Sequence, residues 1–293
     1  MMESVERYLA PTTLQQALAV LAAPEGATVL AGGTDLMPQG RAGRVPAART
    51  LLNIRRIAEL EGIVVEGGDT LVLGTLTRIA DLERDPLVRL HAPLLAEVAD
   101  HFASAQVRNA ATLGGNVCNA SPAGDTLPAL LALDAEAELA RLGPTGAVAR
   151  RRVPLDAFFA GPGRTRREPG ELLVALRMPL APTPRVTRFY KAGTRPALDI
   201  SPVAIAFAAR RDARGALQGV RLALGAVGPT PLRARRAEAL LEGQVLAGPL
   251  AAEAAQVACN EATPIDDVRA SAWYRRELLR NITRRMLTDV ADH

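Results

Sequence analysis

The stretch TLGGNVCNASPAGDTLPALLAL, residues 112–133, decides how this chain is interpreted. A glycine pair near its start is followed by a turn rich in Pro and Gly and then by an apolar run. A second glycine pair lies upstream in AGGTDL, residues 31–36. Glycine adopts backbone angles closed to other residues, and consecutive N–H groups form concavities that bind anions, phosphates above all. Each loop alone is also typical of a structural turn, but two such loops favour one diphosphate held between them.

Polar residues around the two loops extend this interpretation. Thr34, Thr112 and Asn116 can add side-chain donors. Asp125 follows a glycine and precedes a predicted helix, so its carboxylate could accept from a ribose hydroxyl or cap the helix. The residues alone therefore indicate a nucleotide-binding protein.

The N-terminal part is predicted to hold two units. Residues 12–23 are predicted to form a helix that starts at Thr12 or Thr13, and short strands are expected in 27–36 and 51–54, which suggests a small parallel unit. Residues 62–77 and 136–155 each predict a hairpin, turning at EGGD and at GPTG. Helices are expected over 79–90 and 93–103.

The C-terminal part begins after MPLAPTPR, residues 178–185, where three prolines interrupt the pattern. Three antiparallel strands are expected after it, followed by helices. The predicted fold class is α+β: an N-terminal two-part α/β domain with a small parallel part and a larger mixed or antiparallel part, then an antiparallel sheet with a helix bundle. The predicted limits are 1–178, divided into 1–57 and 58–178, and 185–293.

Lys191 is the only lysine among 35 basic residues, so 34 are arginine. Arginine is broad, planar and fork-shaped, whereas lysine carries a compact charge on a flexible stem. Position 191 therefore either needs a point charge or is a chance remnant in an arginine-rich sequence.

Composition excludes several functions. Cys118 and Cys259 are the only cysteines, too few for a four-cysteine cluster site, and the three histidines lack metal-ligand spacing. We expect no protein-bound metal, no membrane span and no nucleic-acid partner. We also expect a cytoplasmic location, because the N-terminal sequence lacks the apolar core of a signal peptide. Dinucleotide (G-x-G-x-x-G), Walker A and nucleophile-elbow motifs are absent.

Both glycine loops, together with RYLAPTTLQQAL, GTLTRIADL, PGELLVALRMP, FYKAGTRPALDIS and YRRELLRNI, resemble the flavin-binding medium subunit of the molybdenum hydroxylases. The likeness covers essentially the whole chain in order. It implies FAD bound between the N-terminal two-part domain and the C-terminal domain. The reductase branch of the family carries an iron–sulfur insertion that this chain should lack.

The resemblance also implies particular cofactor-binding residues. The residues expected to hold the FAD pyrophosphate are Ala31, Gly32, Gly33, Thr34, Asp35, Thr112, Leu113, Gly114, Gly115 and Asn116. Asp125 matches a position that contacts FAD hydroxyls, and Phe102 and Ala103 match positions near the adenine. Leu173 and Lys191 match positions beside the flavin ring, and Ile200 matches a position that flanks its face in some relatives. No catalytic side chain is implied.

The implied function is electron transfer. A large subunit with a molybdopterin cofactor oxidises the substrate, and a small subunit with two [2Fe–2S] clusters passes the electrons to this FAD. The reduced FAD then passes them to an external acceptor. The expected assembly is a heterohexamer of three subunit types. Two alternatives stay open at this point: a standalone flavin reductase of the same fold, and a non-enzymatic protein that has lost the nucleotide.

Overall fold

The computed structural model describes residues 5–44, 48–183, 185–195 and 198–292. The first four residues and His293, which the predicted domain limits include, lie outside these ranges, as do Pro184 of the predicted boundary and residues 45–47 and 196–197.

A small parallel sheet opens the chain. Its strands lie in the order β1–β3–β2, with β1 at Arg7–Leu9, β2 at Thr28–Leu30 and β3 at Thr50–Asn53. Helices α1 (Leu14–Ala22) and α2 (Leu36–Arg41) connect them. Thr13 caps α1, since its hydroxyl accepts from the N–H of Gln16 at 3.3 Å. Strand β1 was not predicted, because three largely exposed residues show no hydrophobic alternation.

A five-stranded sheet forms the second unit, and all its neighbouring strands are antiparallel. Its order is β4–β5–β10–β6–β7, with bounds Ile63–Glu66 (β4), Thr70–Gly74 (β5), Glu136–Leu142 (β6), Val148–Pro154 (β7) and Leu172–Pro179 (β10). Both predicted hairpins are present, as β4–β5 and β6–β7. A two-stranded ribbon of β8 (Phe159–Gly161) and β9 (Arg164–Thr165) follows a short helix, α9 (Leu155–Phe158).

Short helices fill the space between β5 and β6. They are α3 (Ile79–Arg84), α4 (Pro86–His91), α5 (Pro93–Asp100), α6 (Ala105–Arg108), α7 (Leu113–Asn119) and α8 (Thr126–Ala132). The single helix expected over 79–90 is wrong. Asp85 ends α3 and caps α4, whose first residue is Pro86, and a proline at that position starts a helix because its missing N–H needs no partner.

The C-terminal sheet has the order β11–β12–β13–β14, with bounds Val186–Ala192, Val203–Arg211, Leu217–Gly225 and Leu232–Arg233. The expectation of three strands missed β14, a two-residue strand too short to show a pattern. Helices α10 (Arg235–Leu241), α11 (Gly248–Glu261) and α12 (Ala272–Ala291) follow. Among the described residues, none of the helices combines the length and apolarity needed to cross a bilayer.

The two faces of β12 separate two cores. Val203, Ile205 and Phe207 pack with the C-terminal helices. Alanines at 204, 206 and 208 point the other way, into the core that contains α8. Every residue of α8 is buried, and small side chains opposite it let this helix approach the sheet closely. The C-terminal sheet is therefore packed directly on the N-terminal unit, which brings β11 beside the loops described next.

Candidate functional site

The first glycine loop lies at the carboxyl end of β2, between that strand and α2. Gly33 has a φ of +73°, which favours glycine. A Cβ on Gly32 would lie 2.1 Å from the carbonyl oxygen of Ala110. This close approach brings Ala31–Asp35 against the segment that leads into the second glycine loop.

The second glycine loop forms the first turn of α7. Thr112 caps this helix, and its Oγ1 accepts from the N–H of Gly115 at 3.1 Å. The N–H of Leu113 donates to the carbonyl of Thr77 at 2.8 Å, and that of Gly114 donates to Thr75 at 3.0 Å. The N–H of Asn116 donates to the carbonyl of Thr112 at 3.0 Å, so four consecutive N–H groups have partners within the chain.

The two loops therefore use glycine differently, which corrects part of the sequence argument. Only Gly33 of the four loop glycines has a positive φ. Gly114 is required for packing, since a Cβ there would lie 1.7 Å from Thr75 Oγ1. No described residue accepts a hydrogen bond from the N–H of Gly33 or Thr34. The first loop therefore offers two adjacent N–H groups to an anion, whereas the second uses the N–H groups of residues 113–116 within the chain.

Asp125 lies directly before α8 but makes no capping hydrogen bond to that helix. Its Oδ2 accepts from Lys191 Nζ at 2.8 Å, whereas its Oδ1 is buried and has no partner among the described residues. Burial raises the pKa of Asp125 above its ordinary value, and the charge of Lys191 opposes this shift. The next residue, Thr126, ties α8 to the second loop, because its hydroxyl donates to Asn116 Oδ1 at 2.6 Å.

Lys191 lies on β11 and reaches across to the N-terminal unit. Besides Asp125, its Nζ donates to the carbonyl of His101 at 3.0 Å, and only 8 % of its side chain is exposed. Phe189 lies on the same face of β11 and packs edge to face with the His101 ring, with centroids 6.1 Å apart. The single lysine is thus a buried cation between the two parts of the chain.

The expected adenine-side residues occupy a tight turn beside Lys191. Phe102 is largely buried, and Ala103 has a φ of +39°. Arg108 Nη1 donates to the carbonyl of Phe102 at 3.0 Å, which holds the turn. Because His101 accepts from Lys191, this turn is brought to the same region as Asp125.

Two predicted residues are placed less directly. The side chain of Leu173 is 1 % exposed and packs in the core of the five-stranded sheet. The carbonyl of its neighbour Val174 accepts from the N–H of Thr75 at 2.9 Å, which links this strand to the second loop. Ile200 is 48 % exposed in the loop after β11, and among the described residues no side-chain hydrogen bond or ion pair joins it to the residues above.

Sequence reasoning missed three supporting residues. Thr75 and Thr77 satisfy the second loop through their carbonyl groups, and His101 anchors Lys191 in the same way. Main-chain acceptors leave no mark in a sequence, because every residue type carries one.

Comparison with known proteins places this arrangement in a family. The family profile described as the FAD binding domain in molybdopterin dehydrogenase matches residues 3–181, and that of the CO dehydrogenase flavoprotein C-terminal domain matches 188–290. The chain belongs to this FAD-binding family. It therefore carries an FAD-binding domain and is an oxidoreductase subunit of the molybdenum hydroxylase type.

Individual relatives match along nearly their whole length. The chain is 34 % identical to the carbon monoxide dehydrogenase medium chain of Hydrogenophaga pseudoflava, over 96 % of this chain and 95 % of the relative. It is 32 % identical to a xanthine dehydrogenase FAD-binding subunit of Escherichia coli O157:H7, over 96 % and 94 %. The solved carbon monoxide dehydrogenase from H. pseudoflava that lacks the Mo-pyranopterin moiety of its cofactor superposes with a TM-score of 0.89 at 33 % identity, covering 96 % of this chain and 95 % of that chain.

The residues present fit the cofactor that the family implies. A loop with free N–H groups suits a phosphate, and a buried carboxylate oxygen without a partner suits a hydroxyl donor. FAD carries both groups.

Proposed function

We propose that this chain is the electron-transfer subunit of a molybdenum-containing hydroxylase, in which it takes electrons from [2Fe–2S] clusters on a partner subunit and passes them to an external acceptor. The observation that carries the proposal is Asp125 Oδ1, a buried oxygen without a partner in the described part of the chain, in a family defined by FAD binding. Bound FAD would supply the electron chemistry itself, because its ring accepts and releases electrons.

The chain's own residues bind and orient that group in this proposal. Gly33 and Thr34 donate their free N–H groups to the diphosphate, and Ala31, Gly32 and Asp35 keep the loop in place. Thr112 to Asn116 form the packed wall opposite.

The remaining predicted site residues are assigned to the parts of the cofactor beyond the diphosphate, and the hydrogen bond from Lys191 to the carbonyl of His101 puts the adenine-side turn next to the lysine. Asp125 accepts from a hydroxyl, Phe102 and Ala103 lie towards the adenine, and Lys191, Leu173 and Ile200 lie towards the flavin ring. Leu173 would contribute through its main chain, because its side chain is already buried in the core.

The proposed partners are a small iron–sulfur subunit and a large molybdopterin subunit, assembled as a heterohexamer of three subunit types. The matched relatives are named as a medium chain and as an FAD-binding subunit, which supports a multi-subunit enzyme. The names of these two relatives also refer to unlike substrates, carbon monoxide and xanthine, and the chain is nearly equally identical to both relatives. We propose a domain boundary between residues 178 and 185, near the gap between the two family profiles.

The flavin content of two glycine variants tests the cofactor assignment. Gly33 and Gly26 both have a positive φ, +73° and +59°, so alanine strains the backbone at either position. Gly33→Ala should lose flavin, measured by the visible absorbance of the cofactor. Gly26→Ala should keep it, because a Cβ there meets no atom within 4 Å. Full flavin occupancy in Gly33→Ala would contradict the phosphate-loop assignment.

Affinity purification of the tagged chain from its source cells tests the electron-transfer role. Co-purification of iron and molybdenum with the flavin supports a subunit of a larger enzyme. A flavin-containing chain that purifies alone, without either metal, would favour the standalone reductase instead.

A further inference from the structure

An ion pair with the C-terminal sheet lies at each end of helix α8. Asp125 precedes the helix and Asp134 follows it by two residues. Lys191 on β11 holds the first, whereas Arg221 on β13 and Arg233 on β14 hold the second. The same kind of contact is therefore made twice, by lysine at one end and by arginine at the other.

At the Asp134 end both carboxylate oxygens are occupied. Arg221 Nε lies 2.8 Å from Oδ1 and 2.8 Å from Oδ2. Arg233 Nη1 adds a contact of 3.0 Å to Oδ1. Guanidinium groups carry several donors in a rigid fork, so they saturate a carboxylate. This end has the properties of a structural contact.

At the Asp125 end only one oxygen is occupied. Lys191 contacts Oδ2 and directs a second N–H to the carbonyl of His101, so its ammonium is held from two sides. Oδ1 stays buried without a described partner. A buried acceptor without a partner destabilises a fold. A chain that uses arginine at every other basic position could have removed this cost with a guanidinium here.

We infer that Lys191 is a positioning residue whose single point charge holds Asp125 by one oxygen and leaves the other open to a hydroxyl of the bound dinucleotide. An arginine at position 191 would place a second donor on the carboxylate and close Oδ1. This inference rests on the proposed function, and it explains why the one lysine lies at this position. It makes the affinity for FAD the main quantity that Lys191 affects.

Reciprocal substitutions at the two ends test the inference on the full-length chain after removal of flavin. Lys191→Arg should weaken FAD binding at least about tenfold, equal to 1.4 kcal/mol, in a titration followed by flavin fluorescence. The melting temperature of the FAD-free protein should stay the same or rise, because the open oxygen gains a donor. Arg221→Lys is the matched control: it should lower the melting temperature and leave FAD affinity unchanged.

Two substitutions that remove both charges, Lys191→Met and Asp125→Asn, provide a second test that does not depend on how an arginine fits at position 191. Lys191→Met leaves Asp125 without its anchor, so FAD binding should weaken. Adding Asp125→Asn removes the buried charge that needed the anchor, and the double variant should bind FAD more tightly than Lys191→Met alone. A direct charge effect of Lys191 on the cofactor predicts no such recovery, and its absence would overturn the inference.

The results separate the inference from the proposed function. If Lys191→Arg binds FAD as the wild type does, the positioning role is wrong and the FAD site stands. If the wild-type chain binds no FAD, the proposed function fails. The melting temperatures still test whether Lys191 leaves Asp125 Oδ1 open. A lower melting temperature of FAD-free Lys191→Arg would then contradict an open oxygen at Asp125, and an unchanged or higher one would support it.

Discussion

The two glycine loops share a sequence pattern and differ in what their backbones do. In the first loop, Gly33 adopts a left-handed φ, and the N–H groups of Gly33 and Thr34 have no described acceptor. In the second loop, the N–H groups of 113–116 all donate within the chain. The first loop is built to receive a ligand, whereas the second is built to pack against Thr75. A glycine pair therefore does not by itself indicate a phosphate site; the partners of its N–H groups decide.

The largest effect should come from the packed loop. A Cβ at Gly114 would lie 1.7 Å from Thr75 Oγ1 and 2.8 Å from the Thr75 carbonyl oxygen. Gly114→Ala should therefore lower the free energy of unfolding by about 3 kcal/mol, as overpacking does. Gly115→Ala is the comparison: its Cβ would meet a single atom, Thr112 Oγ1 at 2.8 Å, so it should disturb the cap of α7 and cost less than Gly114→Ala. Urea denaturation measures both, and equal losses would contradict a special packing role of Gly114 against Thr75.

The cap of α7 should give the next largest effect. Thr112→Val removes the oxygen that accepts from the N–H of Gly115, and loss of such a cap costs about 1 kcal/mol. Thr112→Ser keeps the hydroxyl and should retain most of the stability. If Thr112→Val unfolded like the wild type but lost flavin, the hydroxyl would serve the ligand and the second loop would not be purely structural.

The smallest effect concerns pH at Asp125, which follows the second loop. Burial raises its pKa, with Lys191 opposing, so the folded chain keeps this proton to a higher pH than the unfolded chain does. The contribution to stability is therefore full below the ordinary value of 3.8 and declines as pH rises through the raised pKa. As pH rises from 3.8 through the raised pKa, FAD-free wild type should lose stability relative to Asp125→Asn. Parallel pH dependences of the two proteins would show that the Asp125 carboxylate is not buried as described.

Local sequence signals predicted much of the fold. The turns at EGGD and GPTG fixed two hairpins, because Gly, Asp and Pro suit the required backbone and apolar runs flank them. Strand β1 could not be predicted from three residues, since it forms only by pairing in parallel with β3. The break at Asp85 and Pro86 was readable in principle, because Asp followed by Pro is a helix-start signal.

The site was predicted only as a set of residues, not as an arrangement. The resemblance named Lys191 and Asp125 separately, and nothing in the sequence shows that 66 residues of separation close into a contact of 2.8 Å. The N–H groups of Leu113 and Gly114 in the second loop likewise find their acceptors in the carbonyl groups of Thr77 and Thr75, which tertiary packing supplies. The sequence therefore showed which residue types belong to the site, whereas their contacts with one another and their burial could be seen only in the folded structure.

The flavin content of Asp125→Ala tests the central claim most directly. Wild type and variant would be purified in parallel, with visible absorbance reporting flavin per chain and circular dichroism reporting the fold. We expect a full flavin complement in the wild type and little in Asp125→Ala, with matching circular dichroism spectra. A full complement in Asp125→Ala would contradict the claim that the open oxygen of Asp125 helps to hold FAD.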